Sequence, residues 1–520
     1  MERRTASVRE VTRNKRWKVE SHKQVMPRSP ITATCLLLAA TLVSSQEVPV
    51  TEEITVDAQA ATRPFPHFWE QTFGSGRAIL SLRESYRRDL RAMKSATDIH
   101  YVRFHAIFDD EVGLYSENAQ GQPVYNWSYV DQIYDGLLDN GVRPFVEMSF
   151  MPRALAASLT PHAFWYQPLP SPPKDYAKWE ALVYTFAKHL VDRYGIDEVS
   201  QWYFEVWNEP NIDFWTGEPK QSTYFELYDH AARAIKRADS RLRVGGPATA
   251  QAAWIPDMIA HSIQAQVPLD FVSTHVYGND LSKDVFGTDE EIDRSVMVSR
   301  AVQKVYNQVK MSMRPQLPII WSEYNASYKN EVDVTDAAFM GPWLANTIRL
   351  CDGLTTMMSY WTFSDVFEEQ GVIKMPFYGG YGLIAEGGVP KPAFNAFALL
   401  HRLGDQRSQP DLANALVTKR ADGTFAIAVW NYAAPGTIGS ATQIHINVDG
   451  LAGTPRYHVE IVDPDHGSPQ GAWRAMGSPA SPTREQYEQL RQAAVTQTLD
   501  GTSRFMLPTH GLALVEVRPH

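Results

Sequence analysis

The chain is poor in cysteine and carries no excess of positive charge. Its 520 residues include only Cys35 and Cys351, too few for a cysteine metal framework or a disulfide set, and we expect no structural bridge. The formal net charge is -10, whereas a nucleic-acid partner calls for a basic surface. We therefore expect no nucleic-acid partner.

The apolar run near the start of the chain is short. Residues 31–45 are apolar, end in small residues and follow a basic leader, an order typical of a secretory signal peptide. The run is too short for a typical membrane span. We expect residues 1–45 to be a signal peptide, with Met26 as an alternative start, and the protein to be secreted or periplasmic with no membrane span. An uncleaved interfacial anchor is the alternative.

The middle of the chain alternates short apolar runs with amphipathic stretches. This alternation is typical of βα units. Helical stretches are expected at 176–194 and 222–238, where apolar residues recur near a 3.6-residue period. Eight strands are predicted, at 68–73, 101–107, 144–149, 201–207, 243–245, 271–275, 318–323 and 356–363.

Eight such repeats predict an α/β fold, a closed (β/α)8 TIM barrel over residues 65–403, with functional residues at the carboxyl ends of its strands. A doubly wound open sheet is the alternative, but no glycine-rich nucleotide turn follows an early strand. Gly74-Ser75-Gly76-Arg77 is interpreted as a tight loop after the first strand.

The pattern of the sequence changes near residue 404, from alternating strand and helix signals to β-rich segments. Residues 425–430, 443–448, 457–462 and 512–517 are β-rich, and Gly and Pro turns separate them. This pattern predicts an accessory antiparallel β-sandwich over 404–520. Residues 47–62 are expected to add a strand to it.

Two glutamates end apolar, aromatic-rich runs in similar local settings. Glu209 lies in Val206-Trp207-Asn208-Glu209-Pro210, and Glu323 lies in Ile320-Trp321-Ser322-Glu323-Tyr324. Two carboxyl groups on opposite sides of an anomeric carbon are the machinery that cleaves a glycosidic bond. The pair therefore indicates glycoside hydrolysis, which needs no metal and no organic cofactor.

The two glutamates need different surroundings. A general acid must hold a proton, and apolar walls raise a carboxyl pKa; we expect such walls around Glu209 from Trp202, Phe204 and Trp207. Since Pro210 follows, Glu209 should be extended. Glu323, as nucleophile, must stay ionised and needs donors, for which Tyr277, Tyr328 and Trp321 are candidates.

Other candidate residues end the second, sixth and eighth predicted strands. His275 and Tyr277 are two residues apart, as are Arg103 and His105, a spacing that puts each pair on one strand face. Arg103 is a candidate partner for a carboxylate, and the others are candidates for hydroxyl recognition. Trp361 is a candidate floor for a sugar ring. Glu368 and Glu369 are candidates to bind sugar hydroxyls or to form an exposed acidic loop.

Together these segments resemble glycoside hydrolase family 39, and most closely its bacterial β-xylosidases. The resemblance extends from Gly74 into the late β region at Gly471-Ala472-Trp473. Two departures, Ala106 where glycine is expected and Ala326 where threonine is usual, leave fine substrate preference open. The segments that carry the resemblance are Val206-Trp207-Asn208-Glu209-Pro210, Ser322-Glu323-Tyr324-Asn325, His275-Val276-Tyr277 and Tyr360-Trp361-Thr362-Phe363-Ser364-Asp365-Val366-Phe367-Glu368-Glu369.

The resemblance implies a retaining exo-β-D-xylosidase with Glu209 as acid/base and Glu323 as nucleophile. Its substrates would be xylo-oligosaccharides or aryl xylosides, and homo-oligomerisation stays open. The alternatives are an α-L-arabinosidase or α-L-iduronidase on the same barrel, or a catalytically inactive carbohydrate-binding protein. The residues that the resemblance places around the terminal sugar are His105, Phe164, Asn208, His275, Tyr277, Tyr328, Trp361, Glu368 and Glu369.

Overall fold

The computed structural model describes residues 50–409 and 411–518. The predicted signal peptide, with Cys35, lies outside the described residues. Cys351 is a buried free thiol. None of the helices in the described ranges is long and apolar enough to cross a membrane.

The elements in chain order define the labels used below. The strands are β1 (Val50–Asp57), β2 (Thr62–Pro64), β3 (Thr72–Arg77), β4 (Tyr101–His105), β5 (Tyr115–Glu117), β6 (Pro123–Tyr125), β7 (Arg143–Met148), β8 (Tyr203–Val206), β9 (Arg243–Thr249), β10 (Phe271–Tyr277), β11 (Ile319–Asn325), β12 (Met357–Tyr360), β13 (Ile384–Ala385), β14 (Val389–Pro390), β15 (Gln406–Ser408), β16 (Ala415–Lys419), β17 (Phe425–Trp430), β18 (Thr442–Asp449), β19 (Arg456–Val462), β20 (Gln497–Asp500), β21 (Arg504–Leu507) and β22 (Leu512–Arg518). The α-helices are α1 (Glu84–Ala96), α2 (Ser128–Leu138), α3 (Tyr176–Tyr194), α4 (Ile196–Val199), α5 (Lys220–Ala238), α6 (Ile255–Gln264), α7 (Ser282–Phe286), α8 (Arg294–Lys310), α9 (Val332–Thr335), α10 (Met340–Cys351), α11 (Pro392–His401), α12 (Gln470–Ala475) and α13 (Arg484–Ala493).

Eight parallel strands close into a barrel in the order β3, β4, β7, β8, β9, β10, β11 and β12, with β12 pairing back to β3. Strands β3, β10 and β11 are buried along their whole length, as parallel strands covered on both faces should be. The predicted (β/α)8 barrel is confirmed. It brings the ends of distant sequence segments to one rim.

The first barrel strand differs from its prediction. It runs over Thr72–Arg77, not over 68–73, so Gly74-Ser75-Gly76-Arg77 is strand and not the tight loop expected. A Cβ atom on Gly74 would lie 2.2 Å from the Trp361 ring, closer than any real contact. Glycine is required here because the Trp361 indole packs directly on the strand backbone.

The helices follow their sequence periodicity closely. The stretches predicted at 176–194 and 222–238 are α3 and α5, and α5 begins two residues earlier than expected. The Asp175 side chain caps α3 by accepting from the backbone N–H groups of Ala177 and Lys178. The buried side chains of α3 recur every three or four residues, so the helix packs one apolar face against the barrel.

Two further sheets follow the barrel. One contains β1, β18 and β21, and the other contains β2, β15, β16, β17, β22, β19 and β20. They share one apolar core, in which Ile54 and Ile446 from the first sheet meet Ile427 and Val515 from the second. The sheets therefore form a sandwich, and its pairing is antiparallel apart from the parallel pair of β1 with β18.

A buried ion cluster fixes the segment between β12 and α11. The Lys391 ammonium is fully buried and lies 2.7 Å from Asp336 Oδ1 and 2.6 Å from Asp365 Oδ2. The remaining carboxylate oxygens accept from the backbone N–H groups of Gly379 and Gly382. One cation and two carboxylates thereby hold the loop that carries residues 365–382.

We predict that Lys391→Met destabilises the protein, because it leaves two buried carboxylates without their cation. Losing one partner of a buried ion pair costs about 3–5 kcal/mol, which denaturant unfolding measures. The control is Lys283→Met, since Lys283 is 75% exposed in a pair with an exposed aspartate and should change stability by less than about 1 kcal/mol. Equal stability of the two variants would contradict the assignment.

Candidate active site

One cavity opens at the carboxyl end of the barrel, with a volume of about 400 Å³. Seven predicted site residues besides Glu209 and Glu323 line it: His105, Phe164, Asn208, Tyr277, Tyr328, Trp361 and Glu369. Both glutamates also line it. The barrel therefore gathers at one place residues that lie up to 264 positions apart in the sequence.

Arg103 is the centre of the charges beneath this cavity. Its guanidinium is fully buried and donates to Glu205 Oε2 at 2.6 Å, Glu323 Oε1 at 2.7 Å and Asn208 Oδ1 at 2.9 Å. It also pairs with Glu147 Oε2 at 2.8 Å. Although burial lowers the pKa of Arg103, the neighbouring carboxylates raise it above its ordinary value. The planar fork of arginine, with five N–H donors, suits donation to several acceptors at once.

Glu323 is held by donors on both of its oxygens. Arg103 bonds Oε1, and the Tyr277 hydroxyl donates to Oε2 at 2.6 Å. Of the three predicted donors, Tyr277 is the one that the structure places on Glu323. The Trp321 indole N–H is buried without a partner among the described residues, and Tyr328 is 42% exposed with its ring against Tyr277. Donors to both oxygens stabilise the carboxylate anion.

Glu209 lies in the opposite electrostatic setting. Burial, followed by the negative charges of Glu323 and Asp280, raises the pKa of Glu209 well above its ordinary value. One of its oxygens lies within 4.8 Å of an oxygen of Glu323. The two carboxyl groups thus face each other across a gap, and their environments favour opposite protonation states.

His275 connects the surroundings of both glutamates. Its Nδ1 lies 2.9 Å from Glu209 Oε1, and its Nε2 lies 3.1 Å from Ser322 Oγ. Burial, then the nearby Arg103 and His105, lowers the pKa of His275 well below its ordinary value, so the ring is neutral. A neutral imidazole offers one donor and one acceptor, and here it orients Glu209 from below without lining the cavity.

The backbone at Glu209 is not extended, contrary to the prediction from Pro210. Trp207 has φ 73° and Glu209 has φ 43°, the left-handed region that non-glycine residues rarely adopt. The turn is fixed because the Glu209 N–H donates to the Ala248 carbonyl at 2.8 Å and Tyr224 binds the Val206 carbonyl at 2.9 Å. Backbone strain of this kind is typical of functional sites.

The apolar walls predicted around Glu209 are also wrong. Trp202, Phe204 and Trp207 are fully buried in the core of the protein and do not line the cavity. The turn at Trp207 directs its ring into a cluster with Phe150, Trp179 and Trp215. Ile212 and Phe214 are the walls nearest to Glu209 in sequence.

A second set of polar residues, His105 and Glu369, lies on the opposite side of the cavity. His105 Nδ1 contacts Glu147 at 2.6 Å, and its Nε2 lies 3.8 Å from both Glu323 Oε1 and Glu369 Oε1. Burial, then Glu323 and Glu147, raises the pKa of Glu369 well above its ordinary value. A protonated Glu369 can donate to a hydroxyl as well as accept from one.

Glu368 does not line the cavity, which corrects its placement at the sugar site. Its φ is 66°, and this turn directs the side chain away from Glu369. Both oxygens accept from arginines: Arg83 binds Oε1 at 2.5 Å, and Arg77 binds Oε2 at 3.3 Å. Burial alone would raise the pKa of Glu368, but these arginines hold it below its ordinary value. Glu368 therefore anchors the loop.

Ala106 carries backbone strain next to His105. It has φ 71° and is fully buried, at the position where the resemblance led us to expect glycine. Its N–H donates to Ser149 Oγ at 3.1 Å, which fixes the turn. The departure in sequence thus changes no side chain in the cavity.

Sequence reasoning missed several cavity residues. These are Ile212, Phe214, Ala250, Gln251, Asp280, Gln370 and Tyr381. They lie on loops after the strands, where no periodic pattern reveals which side chain faces inward. Asp280, three residues after Tyr277, was the most detectable, since a polar residue closely following a predicted barrel strand is a site candidate.

Among the residues that the structure describes, two groups of side chains have a spacing that would suit a metal ion. They are Glu209 with His275 and Glu323, and His67 with Glu70 and His401. In the second group Glu70 accepts from His67 at 2.6 Å and from His401 at 2.9 Å. Hydrogen bonding explains the spacing of this second group.

A carboxyl group that favours its proton, facing a carboxylate held by donors at the mouth of a parallel barrel, defines a glycoside hydrolase. The sequence profile described as "Glycosyl hydrolases family 39" matches residues 52–503. The chain belongs to this family.

Known proteins agree with this assignment. The chain is 35% identical over 439 residues to a β-xylosidase of Geobacillus stearothermophilus, covering 82% of this chain and 86% of that protein. It is 34% identical to a β-xylosidase of Caldicellulosiruptor saccharolyticus, covering 85% and 91%. The crystal structure of a monomeric β-xylosidase from Caulobacter crescentus CB15 superimposes with a TM-score of 0.81 at 32% identity, covering 90% of this chain and 100% of that one.

We predict that Arg103→Lys destabilises the protein and lowers its glycosidase activity. An ammonium has three N–H donors for these four acceptors, so at least one charge-assisted bond is lost, worth about 1.5–3 kcal/mol. Denaturant unfolding should show a loss of about 1.5 kcal/mol or more, and an aryl glycoside assay should show reduced kcat. Arg91→Lys alters an exposed pair and serves as the control. Wild-type stability in Arg103→Lys would refute the central role of Arg103.

Proposed function

We propose that this enzyme is a retaining exo-β-D-xylosidase that releases terminal xylose from xylo-oligosaccharides and aryl xylosides. The observation that carries the proposal is the separation of the two carboxyl groups, with an oxygen of Glu209 within 4.8 Å of an oxygen of Glu323. Retaining glycosidases separate these groups by roughly 5–5.5 Å, whereas inverting enzymes need about 6.5–9.5 Å to admit a water.

Glu209 is the acid/base in this mechanism. Its raised pKa keeps a proton available for the glycosidic oxygen as the bond to the leaving group breaks. Glu323, whose two oxygens accept from Arg103 and Tyr277, attacks the anomeric carbon from the other face. The products of this step are the free alcohol and a glycosyl ester on Glu323.

The second step returns both groups to their starting states. Once Glu323 is esterified, its negative charge no longer raises the pKa of Glu209, which has lost its proton and now acts as base. Glu209 takes a proton from water, the water oxygen attacks the anomeric carbon, and Glu323 leaves as a carboxylate. The sugar departs with the configuration it had in the substrate.

The charge of the cavity favours a neutral sugar. Its lining, as far as the described residues form it, contains Glu209, Asp280, Glu323 and Glu369 but no Lys or Arg. A uronate carboxylate would meet repulsion and no partner, which disfavours the α-L-iduronidase alternative. The similar β-xylosidases support xylose as the neutral sugar. An α-L-arabinoside shares much of the stereochemistry of a β-xyloside and is the second candidate.

The remaining parts of the proposal concern chain-end specificity and location. A cavity of about 400 Å³ is near the small end of the range for ligand pockets, which suits the end of a chain. We also propose secretion or periplasmic location, on the apolar run at 31–45 after a basic leader. The sandwich is proposed to pack against the barrel, not to bind polysaccharide.

We predict that proton NMR of xylobiose hydrolysis shows the β-anomer of xylose first, before mutarotation. Azide then assigns the two glutamates with an activated aryl xyloside. Glu323→Ala should yield the α-xylosyl azide by direct displacement, and Glu209→Ala should yield the β-xylosyl azide from the covalent intermediate. Early α-xylose would contradict retention. Full turnover by Glu323→Ala would contradict its role, and absence of turnover in the wild type would favour a binding protein.

A further inference from the structure

The cavity has a side that the proposed mechanism does not use. Its wall is formed by loops after β8, β9 and β10, which are neighbours in the barrel, and it includes Ala250, Gln251 and Asp280. Glu209 lies on the first of these loops. Because the acid must reach the glycosidic oxygen, the leaving group departs on the side of Glu209. Gln251 and Asp280 therefore border the path of the leaving group.

The loop that carries Gln251 is strained along its length. Three of its non-glycine residues have positive φ, Gln251 at 61°, Ala252 at 53° and Trp254 at 60°, as does Ala248 at 52° near the end of β9. Such strain persists only where the surroundings determine the backbone, and it clusters at ligand sites. The catalytic residues proposed above do not explain it, since none of them lies on this loop.

Hydrogen bonds fix this loop to the segment of Glu209. The Ala248 carbonyl accepts from the Glu209 N–H at 2.8 Å. The Asn211 side chain binds both backbone groups of Ala250, accepting from its N–H at 2.9 Å and donating to its carbonyl at 3.1 Å. The position of Gln251 is therefore set by the same segment that positions the acid.

The polar groups on this side lack protein partners. Within the described residues the Gln251 side chain makes no hydrogen bond. Asp280 is only 8% exposed; its Oδ2 accepts from the Tyr277 N–H at 2.8 Å, and its Oδ1 has no partner in the described ranges. Burial raises the pKa of Asp280 to about 7. The half-buried Gln251 amide and Asp280 Oδ1 are therefore free to hydrogen bond with a ligand in the cavity.

We propose that Gln251 and Asp280 form the binding site for the leaving-group sugar, by hydrogen bonding to its hydroxyls. The inference rests on the proposed function and deepens it: the preferred leaving group is a second sugar. The amide and the carboxyl supply donors and acceptors, whereas a nitrophenyl group has no hydroxyls to use them. Specificity then arises because an analogue without hydroxyls leaves these groups unpaired.

The test compares xylobiose with 4-nitrophenyl β-D-xyloside in Gln251→Ala and Asp280→Asn. Alanine already occupies positive φ at Ala252 of the same loop and at Ala248 near the end of β9. Asparagine can still accept from the Tyr277 N–H while placing an amide nitrogen toward the cavity. Each variant should lose about 3–10-fold in kcat/KM for xylobiose, the worth of one hydrogen bond. The aryl substrate should change by less than about twofold when each enzyme is assayed at its own pH optimum.

Asp280→Asn gives a second readout. It removes a negative charge that raises the pKa of Glu209, so the alkaline limb of the aryl xyloside pH profile should move to lower pH. Gln251→Ala should leave that limb in place. Gln303→Ala, on the exposed face of α8, is the control and should match the wild type with both substrates.

An equal loss of kcat/KM for both substrates would show that the two residues have only a structural role. No loss for either substrate would show that they do not contact the leaving group. Both outcomes overturn the inference. A wild type that cleaves the aryl xyloside but not xylobiose also overturns it. A wild type that cleaves neither refutes xylose as the sugar. In that case the same comparison is made with the aryl glycoside that a screen identifies and the matching disaccharide.

Discussion

A single buried cation organises the active site. Arg103 contacts Glu147, Glu205, Glu323 and Asn208 in a region where carboxylates could not otherwise stay charged together. Because it bonds Asn208, next to Glu209, and Glu323 itself, the spacing of the two facing carboxyl groups depends on one guanidinium. The barrel supplies the geometry by bringing the ends of β4, β8 and β11 to one rim.

The two glutamates differ through their neighbours. Glu323 receives two donors, while Glu209 faces Glu323, Asp280 and a neutral His275. Burial, followed by the charge on Glu323, raises the pKa of Glu209, and esterification of Glu323 would remove the second of these causes. In the proposed mechanism, this coupling lets one carboxyl group act as acid in the first step and as base in the second.

The sequence predicted the parts of the site that depend on strand order. Glu209, Glu323, His105, Tyr277 and Trp361 end apolar runs, and closing the barrel brings such ends together. The missed features depend on backbone turns. Positive φ at Trp207 and Glu368 redirects side chains that a strand pattern would place in the cavity. Gln251 and Asp280 lie on loops. The direction in which a loop side chain points depends on contacts with residues distant in the chain, and a local sequence pattern does not contain that information.

Neutron diffraction from crystals at neutral pD tests the central claim most directly, because it locates the deuterons on the two carboxyl groups. The account predicts a deuteron on Glu209, none on Glu323, and deuterons of Arg103 and Tyr277 directed at the Glu323 oxygens. A deuteron on Glu323 with a bare Glu209 would contradict it.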